Sequence, residues 1–349
     1  MIRINKSIAG LVIVSIYAAA MLFMAVFNLV KLNKELDEFK VAYIDYSVLK
    51  NVDKEPACFN LLNGQDAPIA VIIDNGIGAG MPYGLSQADL VIEAPAEGGV
   101  TRFLAFFDQQ KLIDKIGPVR SVRPYFIDFA ESYGAVLAHA GGSPEALAEL
   151  SKAGDYNLID IDEIGPDGHY FWRDPNLSAP HNLFTSRNLL NQAYKNTAYT
   201  YNRIESSDCT EAKPFQEKLN LSDPDNVAID YSIISYEIEY KYDKEKQGYV
   251  RYQGGKEFIA AENNQILIDN VLIAFMEVKV ADSEGRLKIR TIGEGGAVIC
   301  NLGQCKDGKW RLPALDKRIR FYYGDESEAR LRPGKTWINI VPVGRRVEY

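Results

Sequence analysis

Between Ile69 and Asn182 the chain repeats one pattern: a short apolar run that ends in glycine, proline or charge. Ile69-Ala-Val-Ile-Ile-Asp74, Leu90-Val-Ile-Glu93, Phe103-Leu-Ala-Phe-Phe107 and Ala135 to Ala140 have the length and continuity of buried strands feeding loops. Between them, Pro124 to Tyr133 spaces its apolar residues as a helix does. Gly141-Gly142 turns the chain, Ser143 caps the next helix, and Pro144 takes its first position ahead of Leu147 and Leu150. Ser186 to Ala198 supplies a further helix. Strands alternating with helices predict an α/β domain over residues 57–208.

The pattern changes after that. Ile229, Tyr231 and Ile233 alternate with polar residues, the phase slips at Ile234, and Tyr236, Ile238, Tyr240 and Tyr242 alternate again. This predicts one long half-exposed strand with a bulge near Ile233 and Ile234. Further strands fit Gly248 to Gln253, Ile266 to Val280, Arg286 to Ile292, Ala297 to Cys300, Arg318 to Tyr323 and Thr336 to Val341. Residues 209–349 are therefore expected to form a β-rich domain, a small antiparallel sheet or partly closed barrel that buttresses the first domain or meets a partner.

The N-terminus sets the location. Ser7 to Val30 is a run of 24 uncharged, mostly apolar residues, enough for about 36 Å of helix at ~1.5 Å per residue. A buried core helix would keep a polar face, and an ordinary signal-peptide core is shorter. Arg3 and Lys6 precede the run and favour a cytoplasmic N-terminus. Residues 1–31 are expected to be a cytoplasmic tip and one uncleaved transmembrane helix, and 32–56 a juxtamembrane tether. The bulk is then placed outside the cytoplasmic membrane. With Arg3, Lys6 and Lys31 set aside, 36 basic residues face 47 acidic ones, a charge of −11 against −8 for the whole chain. So acidic a body lacks the basic stripe that nucleic acid requires. Four cysteines allow three pairings. Cys300 and Cys305 flank a short loop between apparent strands, which leaves Cys58 and Cys209 as the other pair; four unpaired thiols are the alternative.

Chemistry concentrates between Asp74 and Asn182. The motifs are Ile73-Asp74-Asn75, Glu97-Gly98-Gly99-Val100-Thr101-Arg102, Gly117-Pro118-Val119-Arg120-Ser121-Val122-Arg123-Pro124, His139-Ala140-Gly141-Gly142-Ser143-Pro144, Phe171-Trp172-Arg173-Asp174 and Ala179-Pro180-His181-Asn182. Together with the closing Gly334-Lys-Thr-Trp-Ile338, this series resembles the YerB-like family of bacterial envelope proteins, over about residues 57–345. The resemblance implies a membrane-tethered extracytoplasmic protein with an N-terminal α/β part and a C-terminal β part, both classed as domains of unknown function. Many members look like lipoproteins. Here the first cysteine is Cys58, far beyond a lipid-attachment position, so the protein itself is expected to span the membrane.

Arginine forks pair with carboxylates or phosphates, so Arg102, Arg120, Arg123 and Arg173, with His139 and Asn182, are the expected ligand-binding residues. The bland alternative has each arginine locking a loop through Asp74, Glu93, Glu97 or Asp174. His181 with Asp74 or Glu97 is the candidate catalytic set. No metal or cofactor is expected. There is no His-x-x-x-His, and Gly76, Gly78 and Gly80 miss the dinucleotide fingerprint. Neither Ser121 nor Ser143 sits in a nucleophile elbow. The expectation is a non-enzymatic envelope module that recognises an anionic cell-wall fragment or a partner protein. A hydrolase or transferase using His181 is the alternative.

Overall fold

The structure is a computed structural model and describes residues 67–108, 112–152, 157–197, 224–232, 236–262, 264–315 and 317–349. The expected transmembrane helix, the tether, Cys58 and Cys209 lie outside the described residues. Among the described residues no helix is long and apolar enough to cross a membrane.

The first part supplies β1 (Ile69–Asp74), β2 (Leu90–Pro95), β3 (Thr101–Phe107), α1 (Pro124–Ser132), β4 (Val136–His139), α2 (Pro144–Leu150) and β5 (Ile159–Asp162). A hairpin of β6 (Phe171–Arg173) and β7 (Leu183–Thr185) and then α3 (Arg187–Asn196) complete it. The second part runs through β8 (Val227–Asp230), β9 (Glu237–Asp243), β10 (Gly248–Gln253), β11 (Lys256–Glu257), β12 (Leu267–Ile268) and β13 (Asn270–Met276). It continues with β14 (Val278–Val280), β15 (Leu287–Ile289), β16 (Gly293–Asn301), β17 (Gln304–Leu312), β18 (Arg320–Tyr323), β19 (Thr336–Pro342) and β20 (Val347–Glu348). An α/β part followed by a β-rich part is thus what the chain builds.

The two parts share one sheet. Ten strands run in the order β18-β17-β16-β13-β19-β2-β3-β1-β4-β5. The join is the parallel pairing of β19 with β2, from Thr336 opposite Leu90 to Asn339 opposite Glu93. Only part of the expected separate antiparallel sheet exists. β8 to β12 with β20 form it, whereas β13, β16, β17, β18 and β19 extend the sheet of the first part. The reason is in the side chains: Val271 to Ala274 and Trp337 to Val341 are buried on both faces, as a strand inside a covered sheet must be. The expected single long strand is two strands, and the bulge expected near Ile233 and Ile234 lies outside the described residues. β8 and β9 pair antiparallel with each other, and the Tyr231 amide donates to the Tyr236 carbonyl at 3.4 Å.

Alternation along the central strands divides the core in two. Ile69, Val71 and Ile73 face Leu190 and Ala193 of α3 and Ile229, Tyr240 and Tyr249 of the second sheet. Ala70 and Ile72 face Tyr125, Phe126 and Phe129 of α1 and Ala146 and Leu150 of α2. As expected, Ser143 Oγ caps α2 by accepting from the Ala146 amide at 3.3 Å. Cys300 and Cys305 stand opposite each other in the β16–β17 hairpin, with Cα atoms 4.1 Å apart, and are disulfide-bonded.

One fully buried ion pair ties the second sheet to the large one. Arg251 Nη2 of β10 donates to both carboxylate oxygens of Glu93 within β2, at 2.8 and 2.9 Å. The guanidinium lies over the rings of Phe258 (4.2 Å), Trp337 (5.3 Å) and Phe103 (5.5 Å). Removing one partner strands a buried charge, a loss of about 3–5 kcal/mol, whereas replacing both is far less harmful. Arg251→Met should therefore lower the unfolding free energy by ~3 kcal/mol or more in guanidinium titrations. Glu93→Gln with Arg251→Met should recover a substantial part of that loss.

Candidate functional site

β1, β2, β4 and β5 run parallel, since β1 and β2 both oppose β3 and β4 lies between β1 and β5. Their C-terminal ends and the loops leaving them therefore share one edge of the sheet. Asp74 ends β1 there and is almost fully buried. β4 pairs with β1 only as far as Val71, and beyond it the segment around Val119 takes over, bridging Ile73. The Arg120 amide donates to the Ile72 carbonyl, and the Asp74 amide to the Pro118 carbonyl, both at 2.9 Å. That pairing brings the Arg120 side chain to Asp74.

Asp74 is the centre of the cluster. Its Oδ1 accepts from the Gly76 amide at 2.8 Å, and its Oδ2 lies 2.7 Å from His181 Nδ1 and 3.0 Å from Arg120 Nε. The Arg120 contact is off the N–H axis, so it is an ion pair rather than a hydrogen bond. With Asp74 as acceptor, His181 holds its proton on Nδ1 and turns Nε2 away. Among the described residues neither His181 Nε2 nor the two terminal nitrogens of Arg120 has a hydrogen-bond partner. Both side chains are about one-quarter exposed. Burial pulls the Arg120 guanidinium below its ordinary value, Asp74 opposes this, and Arg102 adds to it.

Arg102 and Arg123 are engaged differently. Arg102 donates to Glu97 Oε1 at 3.3 Å and to the Ser121 carbonyl at 3.1 Å. Arg123 grips both oxygens of Glu97, through Nε at 3.2 Å and through Nη2, and donates to the Val122 carbonyl at 2.7 Å. Their forks are spent on the protein itself. Arg173 joins Glu163 (2.9 Å) to Asn182 Oδ1 (3.0 Å), which places Asn182 as a brace behind His181. Asp174 pairs instead with Lys115 at 2.8 Å.

His139 stands apart from this group. It is fully buried at the end of β4, with Nε2 2.6 Å from Asp160 Oδ1 and Nδ1 2.9 Å from the Gly141 carbonyl. Both ring nitrogens face acceptors, which suits the doubly protonated ring. Burial acts to lower its pKa, but Asp160, then Asp162 and the Gly141 carbonyl, outweigh it and raise it. Among the described residues there is no group of three or more His, Cys, Asp or Glu side chains that could hold a metal ion.

Behind Asp74 a buried relay reaches the second part. Asn75 Nδ2 donates to Thr101 Oγ1 (2.7 Å) and to Gln253 Oε1 (3.1 Å). Thr101 Oγ1 donates to Glu93 Oε1 at 2.7 Å, and Arg251 Nη1 donates to Gln253 Oε1 at 3.0 Å. The Tyr236 hydroxyl closes the ring on the Asn75 carbonyl. Sequence reasoning missed Arg251, Gln253 and Tyr236. The available signal was that Tyr249, Arg251 and Gln253 share one face of a strand, so that an arginine and an amide lie where an apolar pair belongs.

Two family models match the chain. The N-terminal domain of a protein of unknown function, DUF3048, covers residues 61–200, and the corresponding C-terminal domain covers 227–338. The chain belongs to the DUF3048 family. YerB of Bacillus subtilis (strain 168), provisionally named a lipoprotein, is 34% identical over 283 residues, covering 79% of this chain and 81% of that protein. The crystal structure of YerB from Bacillus subtilis superposes with a TM-score of 0.68 at 30% identity, over 81% of this chain and 94% of that one. The expected YerB-like membership holds. Asp74, Glu97, Arg102, Arg120, Arg123, His139, Arg173, His181 and Asn182 all fall inside the N-terminal family domain, whereas Arg251 belongs to the C-terminal one.

Two measurements separate locking residues from open ones. Arg123→Ala, which leaves Glu97 with Arg102 alone, should cost about 2 kcal/mol of stability, and Arg120→Ala, which leaves Asp74 its contacts to His181 and the Gly76 amide, about 1 kcal/mol, by chemical denaturation. For His139 the folded pKa lies above the unfolded value of ~6.5, so its contribution is complete below that pH. It fades as pH rises through the folded value. His139→Gln should flatten this decline in melting temperature above pH ~6.5.

Proposed function

We propose that this protein is a membrane-anchored component of the bacterial envelope that recognises an anionic group through Arg120 and His181. The observation that carries this reading is that one nearly buried carboxylate, Asp74, holds both side chains. It fixes the Arg120 guanidinium by Nε and the His181 ring by Nδ1, leaving the outer edge of Arg120 and Nε2 of His181 directed elsewhere. A guanidinium edge offers two parallel N–H groups to a carboxylate or phosphate, and a protonated imidazole adds a third donor. Membrane attachment is supported by the lipoprotein name of YerB and, in this chain, by the apolar run from Ser7 to Val30.

The other arginines serve the site indirectly. With Arg102 and Arg123 set against Glu97, the loop carrying Arg120 is braced on both sides. Counting Arg102, Arg120 and Arg123 against Asp74 and Glu97, the cluster keeps a cationic excess on an otherwise acidic chain. That excess favours an anion locally.

A second reading rests on the His181–Asp74 distance alone. A carboxylate 2.7 Å from Nδ1 is the arrangement that orients a histidine as general base. In a hydrolase of this design Nε2 would take a proton from water, and Arg120 would stabilise the oxyanion. Among the described residues no serine, threonine or cysteine side chain bonds to His181, so the nucleophile would be the water itself.

Titration of the protein with soluble cell-wall disaccharide-peptides and with glycerol phosphate, followed by NMR, tests both readings. Saturable shifts at Arg120 and His181, with affinity weakened ~30-fold or more by Arg120→Ala (about 2 kcal/mol for a charge-assisted contact), are expected. Unchanged ligand with wild-type protein supports recognition. Cleaved ligand that depends on His181 supports the hydrolase. Absence of any saturable shift contradicts the proposal.

A further inference from the structure

We infer that the anion taken by Arg120 and His181 is the headgroup of a membrane lipid, and that the loops around them enter the bilayer surface. This rests on the anion-site reading and names its ligand. Residues 75–88, the loop leaving β1, contain no charged residue in a chain that is one-quarter charged. At its tip Ile77 is 70% exposed and Met81 49% exposed. Ile164, in the loop leaving β5, is 70% exposed, and Leu177, in the turn before His181, is 40% exposed.

These side chains belong to loops that the site itself ties together. Gly76, next to Ile77, donates to Asp74, and a methyl placed on Gly76 would stand 3.8 Å from the His181 ring. Glu163, next to Ile164, is bound by Arg173, which also holds Asn182 beside His181. Leu177 sits in the turn whose Asp174 and Ser178 carbonyls accept from the Leu177 and His181 amides. Single exposed apolar residues are ordinary on a soluble surface. Here four lie in the loops at the edge that carries Arg120 and His181. Ile292 and Val343, further exposed apolar residues, border β16 and β19 at the same edge of the sheet.

That combination fits one occupant. Apolar tips gain by entering the acyl boundary, while a guanidinium and an imidazole beneath them stay at headgroup depth with a phosphate. A soluble sugar-peptide would satisfy the arginine and leave Ile77 and Ile164 in water. The cationic excess of the site complements an anionic leaflet, whereas the acidic remainder of the chain is repelled by it and orients the edge toward the lipid.

Hydrogen exchange by mass spectrometry on the full chain, anchored in nanodiscs, tests the inference. In nanodiscs containing phosphatidylglycerol, amides of residues 76–82 and 163–178 should exchange at least ~10-fold more slowly than in phosphatidylcholine alone. Ile77→Ser with Ile164→Ser should restore the phosphatidylcholine rate while leaving the melting temperature and the glycerol phosphate shifts at Arg120 unchanged. Equal exchange in the two lipids, or protection indifferent to the double substitution, overturns the lipid assignment. If glycerol phosphate shifts persist in that case, the anion site stands without the lipid. If they are absent from the wild type, the site reading itself has failed.

Discussion

Everything in this molecule is arranged around the Glu93–Arg251 pair, because a charge pair without water must be given all its hydrogen bonds by the protein. Glu93 lies within β2 of the first part and Arg251 in the second sheet. Thr101 from β3 donates to Glu93, Gln253 from β10 accepts from Arg251, and Asn75 from the loop after β1 joins those two, while Arg251 Nε faces the aromatic rings without a hydrogen-bond partner among the described residues. Three aromatic rings close over the guanidinium. The two family domains are thus not beads on a string. They share a ten-stranded sheet, and the polar core that locks them ends one residue short of Asp74.

That proximity has a functional consequence. Asn75 is held by its side chain through Thr101 and Gln253 and by its carbonyl through Tyr236. The backbone next to Asp74 is consequently held by the second part of the chain, although among the described residues its hydrogen-bond and ion-pair partners, Gly76, His181 and Arg120, come from the first. Arginines divide by the same logic. Arg102 and Arg123 spend their donors on Glu97 and on backbone carbonyls, whereas Arg120 contributes only Nε to Asp74 and keeps its outer edge open. A motif rich in arginine thus contains both bracing and presenting residues, and only the geometry of the forks separates them.

Much of the fold was legible in the sequence. The buried strands at Ile69, Leu90 and Phe103, the Ser143 cap with Pro144, and the Cys300–Cys305 hairpin follow from local periodicity and turn chemistry, which act over a few residues. The parallel pairing of β19 with β2 was not legible, since it joins Thr336 to Leu90 and no local pattern encodes so distant a neighbour. A slip in alternation was legible, but not that the segment divides into the two antiparallel strands β8 and β9, because a bulge and a break between strands interrupt alternation alike. At the candidate site the residues were recognisable and their partners were not. Glu93 was weighed as a partner of the motif arginines, yet its cation lies on a strand that shows no motif. His139 ends an apolar strand and His181 stands in a loop, a difference visible in sequence; their acceptors, Asp160 and the Gly141 carbonyl for one and Asp74 for the other, were not visible there.

Native-state hydrogen exchange across the large sheet tests the central claim, that the two parts form one cooperative unit locked by Glu93 and Arg251. Amides of β1 and β2 should converge with those of β13 and β19 on a single opening free energy as guanidinium is raised, and Arg251→Met should lower all of them together. Opening of the β13–β19 strands at a distinctly lower free energy, with β1 and β2 still protected, would contradict it.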